Sequence, residues 1–338
     1  MAVKKSEKPG KLALPIQARF MQRLKEAVPH GIGVAEELAD ILGVSTDSAY
    51  RRIRGETELT LEEAFRLSKK YAISLDEIFG NQNDTVTFSY TKLTDSASNF
   101  ESYLTRLLSH LQALNKVEDR KIFYVAEEIP MFYSFFSKKL TDFKLFYWQR
   151  SVLNIAEYQQ AKFDWGIVPQ KLVDLGHNSY LEYMAIPSTE IWTSETILTV
   201  IKQVRFYFES GIITKAHALE LLQEYRLMVE MVQRNAESGR KNPSDKTETY
   251  SLYNSDVVLG TNCIYAMMGE SRYSYISFNS MNSLTTSNPE FCEESEHWVK
   301  NLERKSTLIS SVGEKQRYRF FSQMYESIEA CRQQIGRD

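Results

Sequence analysis

The chain has 338 residues, with 41 Lys+Arg against 44 Asp+Glu, a formal charge of −3 and 43% hydrophobic residues. That length suggests about two domains, and the apolar content excludes general disorder. The charge balance excludes attraction to nucleic acid through bulk charge, so a DNA footprint must be a small local patch. Apolar runs stay short and are broken by charge, below the roughly 20 residues a membrane span needs. The start, Met1-Ala2-Val3-Lys4-Lys5, leads into more lysine and carries no apolar signal region. Cys263, Cys292 and Cys331 are far apart and odd in number, neither a disulfide framework nor a CxxC metal pair. The expected compartment is a reducing cytoplasm, with no membrane partner.

Residues 1–14 are rich in Lys, Ser, Pro and Gly and read as a loose tail. From there to residue 80, five short helices are expected. Ile16, Phe20, Leu24 and Ala27 recur at helical spacing, and Pro29 and Gly31 stop the run. Val34, Leu38, Ile41 and Leu42 mark a second helix ending at Gly43. Ser45 is a good N-cap for a third, closed by Gly55. Thr60-x-x-Glu63 and Ser74-x-x-Glu77 are capping boxes that open a fourth and a fifth.

Residues 81–95 read as a linker, beginning at Asn81-Gln82-Asn83-Asp84, with Val86 to Tyr90 alternating like a short strand. A larger domain, 96–338, comes next. Its first helix, about 96–117, places Phe100, Leu104, Leu107, Leu111 and Leu114 in a strict a/d stripe. Two heptads suit either a dimer seam or an ordinary bundle helix. Residues 123–148 carry ten aromatics, which read as core, with an apolar ligand pocket as the alternative. Pro130 separates a strand, Ile122 to Ala126, from a helix. Helices are expected at 194–209 and 214–237, hinged at Gly211, and again at 290–303 and 314–335. Residues 250–284 read as two to four antiparallel strands, either a sensory sheet or ordinary exposed strands.

The chemistry lies in helix two, its turn and helix three. Ala39 is small where two helices cross, Gly43 permits the turn, Val44 plugs the corner and Ser45 caps the next helix. Helix three offers Ala49 and Ile53 to a core. Its other side carries Thr46, Asp47, Tyr50, Arg51 and Arg54, hydrogen-bonding and cationic groups on a helix slim enough for a major groove. Within 45–54, Arg51, Arg52 and Arg54 stand against Asp47 alone.

The run VAEELADILGVSTDSAYRRIRG, with the closing ISLDEIF, resembles the Cro/repressor-type (XRE, lambda-repressor-like) helix-turn-helix family over about 65 residues. The resemblance implies that Thr46, Asp47 and Arg51 occupy positions that commonly reach base edges, with Tyr50 beside them. Many members place large apolar residues at the positions of Ala49 and Arg52. Here the volume shifts to Ile53, and Arg52 is expected outside.

The expected fold is mainly α: a five-helix lambda-repressor-like domain at 15–80, then a larger, mostly helical domain with a small antiparallel sheet. The expected function is sequence-specific transcriptional regulation by a dimer, with Ser45, Thr46, Asp47, Tyr50, Arg51, Arg52 and Arg54 facing double-stranded DNA. The Phe100–Leu114 stripe is the first candidate for a homodimer contact, and the C-terminal domain could take a small-molecule or protein effector. An adaptor that uses the same fold for protein contacts is the competing class. Catalysis is not expected. His30, His110, His177, His217 and His297 are isolated, and no phosphate-loop, dinucleotide or nucleophile-elbow motif occurs. No cofactor or metal is implied.

Overall fold

The computed structural model describes residues 15–28, 32–71, 73–75, 78, 85–257 and 259–337. The chain divides into two compact units, 1–87 and 88–338.

Among the described residues the first unit holds four helices: α1 (Ile16–Ala27), α2 (Val34–Leu42), α3 (Thr46–Ile53) and α4 (Leu61–Tyr71). Each offers one apolar stripe to a shared core of Phe20, Met21, Leu24, Leu38, Leu42, Ala49 and Leu67. The expected fifth helix falls partly outside the described residues, although Leu75 and Ile78 are helical and Ile78 is buried. The expected tail at 1–14, the stop at Pro29 and Gly31, and the turn at 81–84 also lie outside them. Gly43 ends α2 at φ +69°, and its N–H donates to the Ala39 carbonyl at 2.9 Å. A side chain there would meet open space but strained backbone, so conformation requires the glycine.

The second unit is built on an eight-stranded mixed sheet. Its elements run β1 (Ser89–Tyr90), α5 (Ala97–Asn115), β2 (Arg120–Ala126), α6 (Lys138–Tyr147), α7 (Ala156–Gln159), α8 (Gln170–Met184), β3 (Ser188–Trp192), α9 (Leu198–Glu209) and α10 (Lys215–Ser238). They continue with β4 (Tyr250–Asn254), β5 (Cys263–Met268), β6 (Ser271–Phe278), β7 (Asn282–Thr286), α11 (Pro289–Lys305), β8 (Thr307–Leu308) and α12 (Glu314–Arg337). The strand order is β1-β7-β6-β5-β2-β3-β4-β8. Ser89–Tyr90 pairs with β7, so the end of the expected linker belongs to this sheet.

The sheet is not antiparallel throughout. β2 pairs with β3, and β3 with β4, in parallel. The reason is the length of the connections: each joins consecutive strands through helices, the crossover that parallel neighbours need. All five residues of β3 are buried, as expected for a strand covered on both faces. Alternate residues of β2 serve different layers. Ile122, Tyr124 and Ala126 meet the main helical core, whereas Phe123 and Val125 meet the smaller one beneath α11.

The a/d stripe faces the unit's own core. Phe100, Leu104, Leu111 and Leu114 are buried in the unit's own core, and Leu107 packs against it. α5 lies along α8, so the heptad spacing is spent within the chain. The aromatic run is core as well. Tyr133, Phe135, Phe143, Phe146 and Trp148 have no exposed surface, and their rings meet edge to face. All three cysteines are buried.

A carboxylate without exposed surface, Glu190 on β3, ties this core together. Its Oε1 accepts from Tyr183 at 2.6 Å, Tyr133 at 2.9 Å and Ser188 at 3.3 Å. Its Oε2 accepts from Trp192 Nε1 at 3.0 Å and Tyr250 at 3.2 Å. Burial, reinforced by the Glu190 charge, pushes the hydroxyls of Tyr133, Tyr183 and Tyr250 far above the usual tyrosine range. They stay protonated and donate. Lys241 enters the same core, donates to the Tyr183 carbonyl at 2.8 Å, and sits 3.7 Å from the centre of the Tyr183 ring.

Glu190→Ala leaves five buried donors without their acceptor and should cost about 3–5 kcal/mol in chemical denaturation. Lys241 gives a pH signature. Burial brings its pKa down to about 7, against the opposing pull of Glu190 and Asp245. Between that value and the ordinary lysine value near 10.4, the folded chain binds fewer protons than the unfolded one. The contribution of this group to stability therefore rises with pH from about 7 towards 10. Denaturation midpoints across that window should show the rise, and Lys241→Met should flatten it.

Candidate nucleic-acid interface

The site is built from α3 outward. Ser45 caps the helix by accepting from the Ser48 N–H at 3.3 Å, and its hydroxyl also meets that of Ser48 at 3.0 Å. Ala49 is 0% exposed and Ile53 packs against the same core, which fixes the roll of the helix. The opposite side then presents Thr46, Asp47, Tyr50, Arg51 and Arg54 together, all exposed, with Tyr50 46% accessible. Their spacing, i, i+1, i+4, i+5 and i+8, is that of one helical face. It is the face expected from the positions of Ala49 and Ile53.

Arg52 is not on it. The expectation that it points outward fails because its guanidinium turns onto α4. Nη2 and Nε reach the two Glu63 carboxylate oxygens at 2.9 and 3.3 Å, and Nη1 donates to the Ser48 carbonyl at 3.2 Å. The two side chains are only 15% and 16% exposed. Glu63 also completes the capping box, accepting from the Thr60 N–H at 3.0 Å while its own N–H donates to the Thr60 hydroxyl at 3.2 Å. Burial works to raise the Glu63 pKa, but the bonds from Arg52 and Thr60 outweigh it and hold the carboxyl below its ordinary value. One carboxylate thus caps α4 and anchors α3.

Two further groups are not legible in the sequence. Gln17 on α1 donates to the carbonyls of Arg52 at 2.9 Å and Thr57 at 2.8 Å, and accepts from the Leu59 N–H at 3.0 Å. It holds the loop after α3, yet nothing local separates it from any polar helix residue. Glu56 is the other. Gly55 adopts φ +77°, and the chain turns so that the Glu56 N–H donates to the Arg51 carbonyl at 2.8 Å. The Glu56 carboxylate then takes Arg54 in both arms, at 2.7 and 2.9 Å, with Arg51 Nε at 3.9 Å.

Residues 35–78 match the family model described as Helix-turn-helix, and this segment is a helix-turn-helix domain of the XRE, lambda-repressor-like kind. No characterised protein and no solved structure matches the chain. No helix among the described residues is long and apolar enough to cross a membrane. Among the described residues, no group of three His, Cys, Asp or Glu side chains is placed to hold a metal ion.

Arg52→Ala should weaken the first unit by about 1–2 kcal/mol, because it leaves a largely buried carboxylate short of its partner. Urea unfolding followed by helical circular dichroism tests this. Arg54→Ala, which lacks that buried bond, should leave unfolding close to wild type.

Proposed function

We propose that this protein is a sequence-specific, DNA-binding transcriptional regulator that acts in the cytoplasm as a dimer. The observation that carries the reading is the exposed face of α3, with Thr46, Asp47, Tyr50, Arg51 and Arg54 aligned in a domain that matches the helix-turn-helix family. In this reading α3 enters the major groove. Arg51 and Tyr50 are central and face base edges, and Arg54 at the helix end meets phosphate. Thr46 and Ser45 start the helix, where backbone N–H groups favour a phosphate. Asp47 suits a cytosine amino group, since a carboxylate there can only accept when ionised. Arg52 takes no part beyond holding the helix. The mechanism is recognition without a catalytic step or cofactor.

A single domain of this size covers half of an operator, so a dimer is required for two half-sites about one helical turn apart. The contact falls to residues 88–338, through a surface other than the buried Phe100–Leu114 stripe.

Selection from a pool of random duplexes should return one recurrent half-site, read by sequencing the bound fraction. On that site, Arg51→Ala should cost about 1–3 kcal/mol and relax the preference at one base position. Arg54→Ala should weaken all sequences alike, with a salt slope shallower by about one. An adaptor would enrich no sequence, and neither substitution would then change duplex binding.

A further inference from the structure

Arg51 and Arg54, the two cations on the exposed face of α3, are already engaged with one carboxylate. Glu56 holds Arg54 through two parallel bonds of 2.7 and 2.9 Å, the fork geometry that a phosphate would also use. The same carboxylate lies 3.9 Å from Arg51 Nε. Asp47 adds a second negative charge whose field reaches Arg54. With Arg52 withdrawn to Glu63, the exposed face carries two arginines and two carboxylates. Its formal charge is zero, although the sequence of the helix reads as basic.

We propose that Glu56 is a specificity-determining residue, a built-in competitor for the DNA backbone on the recognition face. The proposal rests on the DNA-binding reading of α3. Any duplex must displace the Glu56 carboxylate from Arg54, and loosen it from Arg51, before the arginines reach phosphate or base. Random DNA offers phosphates without matched base edges, so the exchange gains little: one anion replaces another in the same fork. A cognate site adds base-edge bonds to Tyr50, Thr46 and Arg51, which carry the exchange forward. Glu56 therefore suppresses random binding more than cognate binding.

The backbone supports this assignment. The Glu56 N–H is tied to the Arg51 carbonyl at 2.8 Å and the Gly55 N–H to the Arg52 carbonyl at 3.1 Å, so the turn holds the carboxylate close to α3. The Glu56–Arg54 bonds themselves lie at the surface, where they contribute little to folding and exchange readily with solvent. The mutual pull is visible in both partners. The bond to Arg54 lowers the Glu56 pKa, and the bond to Glu56 raises that of Arg54.

The test uses the full-length protein and two fluorescent duplexes, one of random sequence and one carrying the selected site, titrated from low to high potassium chloride. Glu56→Gln keeps the shape and removes the charge. It should bind the random duplex about tenfold more tightly, with a salt slope steeper by about one to two, and bind the selected duplex with a smaller gain. The ratio between the two should therefore fall. Glu58→Gln removes another exposed charge two residues away and should change both duplexes only slightly. Wild-type binding with an unaltered slope and ratio in Glu56→Gln overturns the proposal alone, as does an equal effect from Glu58→Gln. Binding of neither duplex by wild type or Glu56→Gln overturns both the proposal and the reading beneath it. Equal thermal melting of wild type and both variants, expected for exposed side chains, keeps folding out of the comparison.

Discussion

Ala49 has no exposed surface, and that single burial sets the rest of the first unit. A helix of eight residues has few ways to be held. With Ala49 against the core and Ile53 one turn on, its rotation is fixed to within one residue. Thr46, Asp47, Tyr50, Arg51 and Arg54 then have no choice but the outer side. Arg52 falls between the faces. Its long stem lets the guanidinium swing to Glu63, where it anchors α3 to α4.

The electrostatics of the face depend on turn geometry more than on composition. The three arginines crowded at 51, 52 and 54 have three different surroundings. Glu63 takes Arg52 from a neighbouring helix, and Glu56 takes Arg54 because Gly55 reverses the chain. Arg51 retains the loosest contact, 3.9 Å from Glu56. If the proposed reading holds, a face of zero formal charge gains little from phosphate alone and leaves the burden of affinity to base-edge bonds.

The second unit shows a similar division between pattern and placement. The heptad stripe of α5 has the spacing of a coiled coil, but any amphipathic helix with a close helical neighbour needs the same stripe. α8 is that neighbour, and the residues are consumed in one chain. The sheet is also richer than alternation alone implies. β3 is buried on both faces, so its sequence carries no alternation, and Glu190 in its centre hides it further. A charged residue in a strand reads as a solvent face. Here three tyrosines arriving from elsewhere in the chain, with Ser188 and Trp192 of the same strand, make its burial tolerable.

The helix-turn-helix is legible in the chain because its signals are local: caps at Ser45 and Thr60, the left-handed turn at Gly43, the small residue at Ala39, and apolar residues at helical spacing. The outward side of α3 is legible for the same reason, since Ala49 and Ile53 are separated by one turn. The task of Arg52, the pairing of the strands and the destination of the leucine stripe were settled by folding alone. Those outcomes depend on groups distant in the chain, Arg52 with Glu63, Gln17 with Leu59, Glu190 with Tyr250. No local spacing encodes such meetings, since their free energy arises only when folding removes water from both partners.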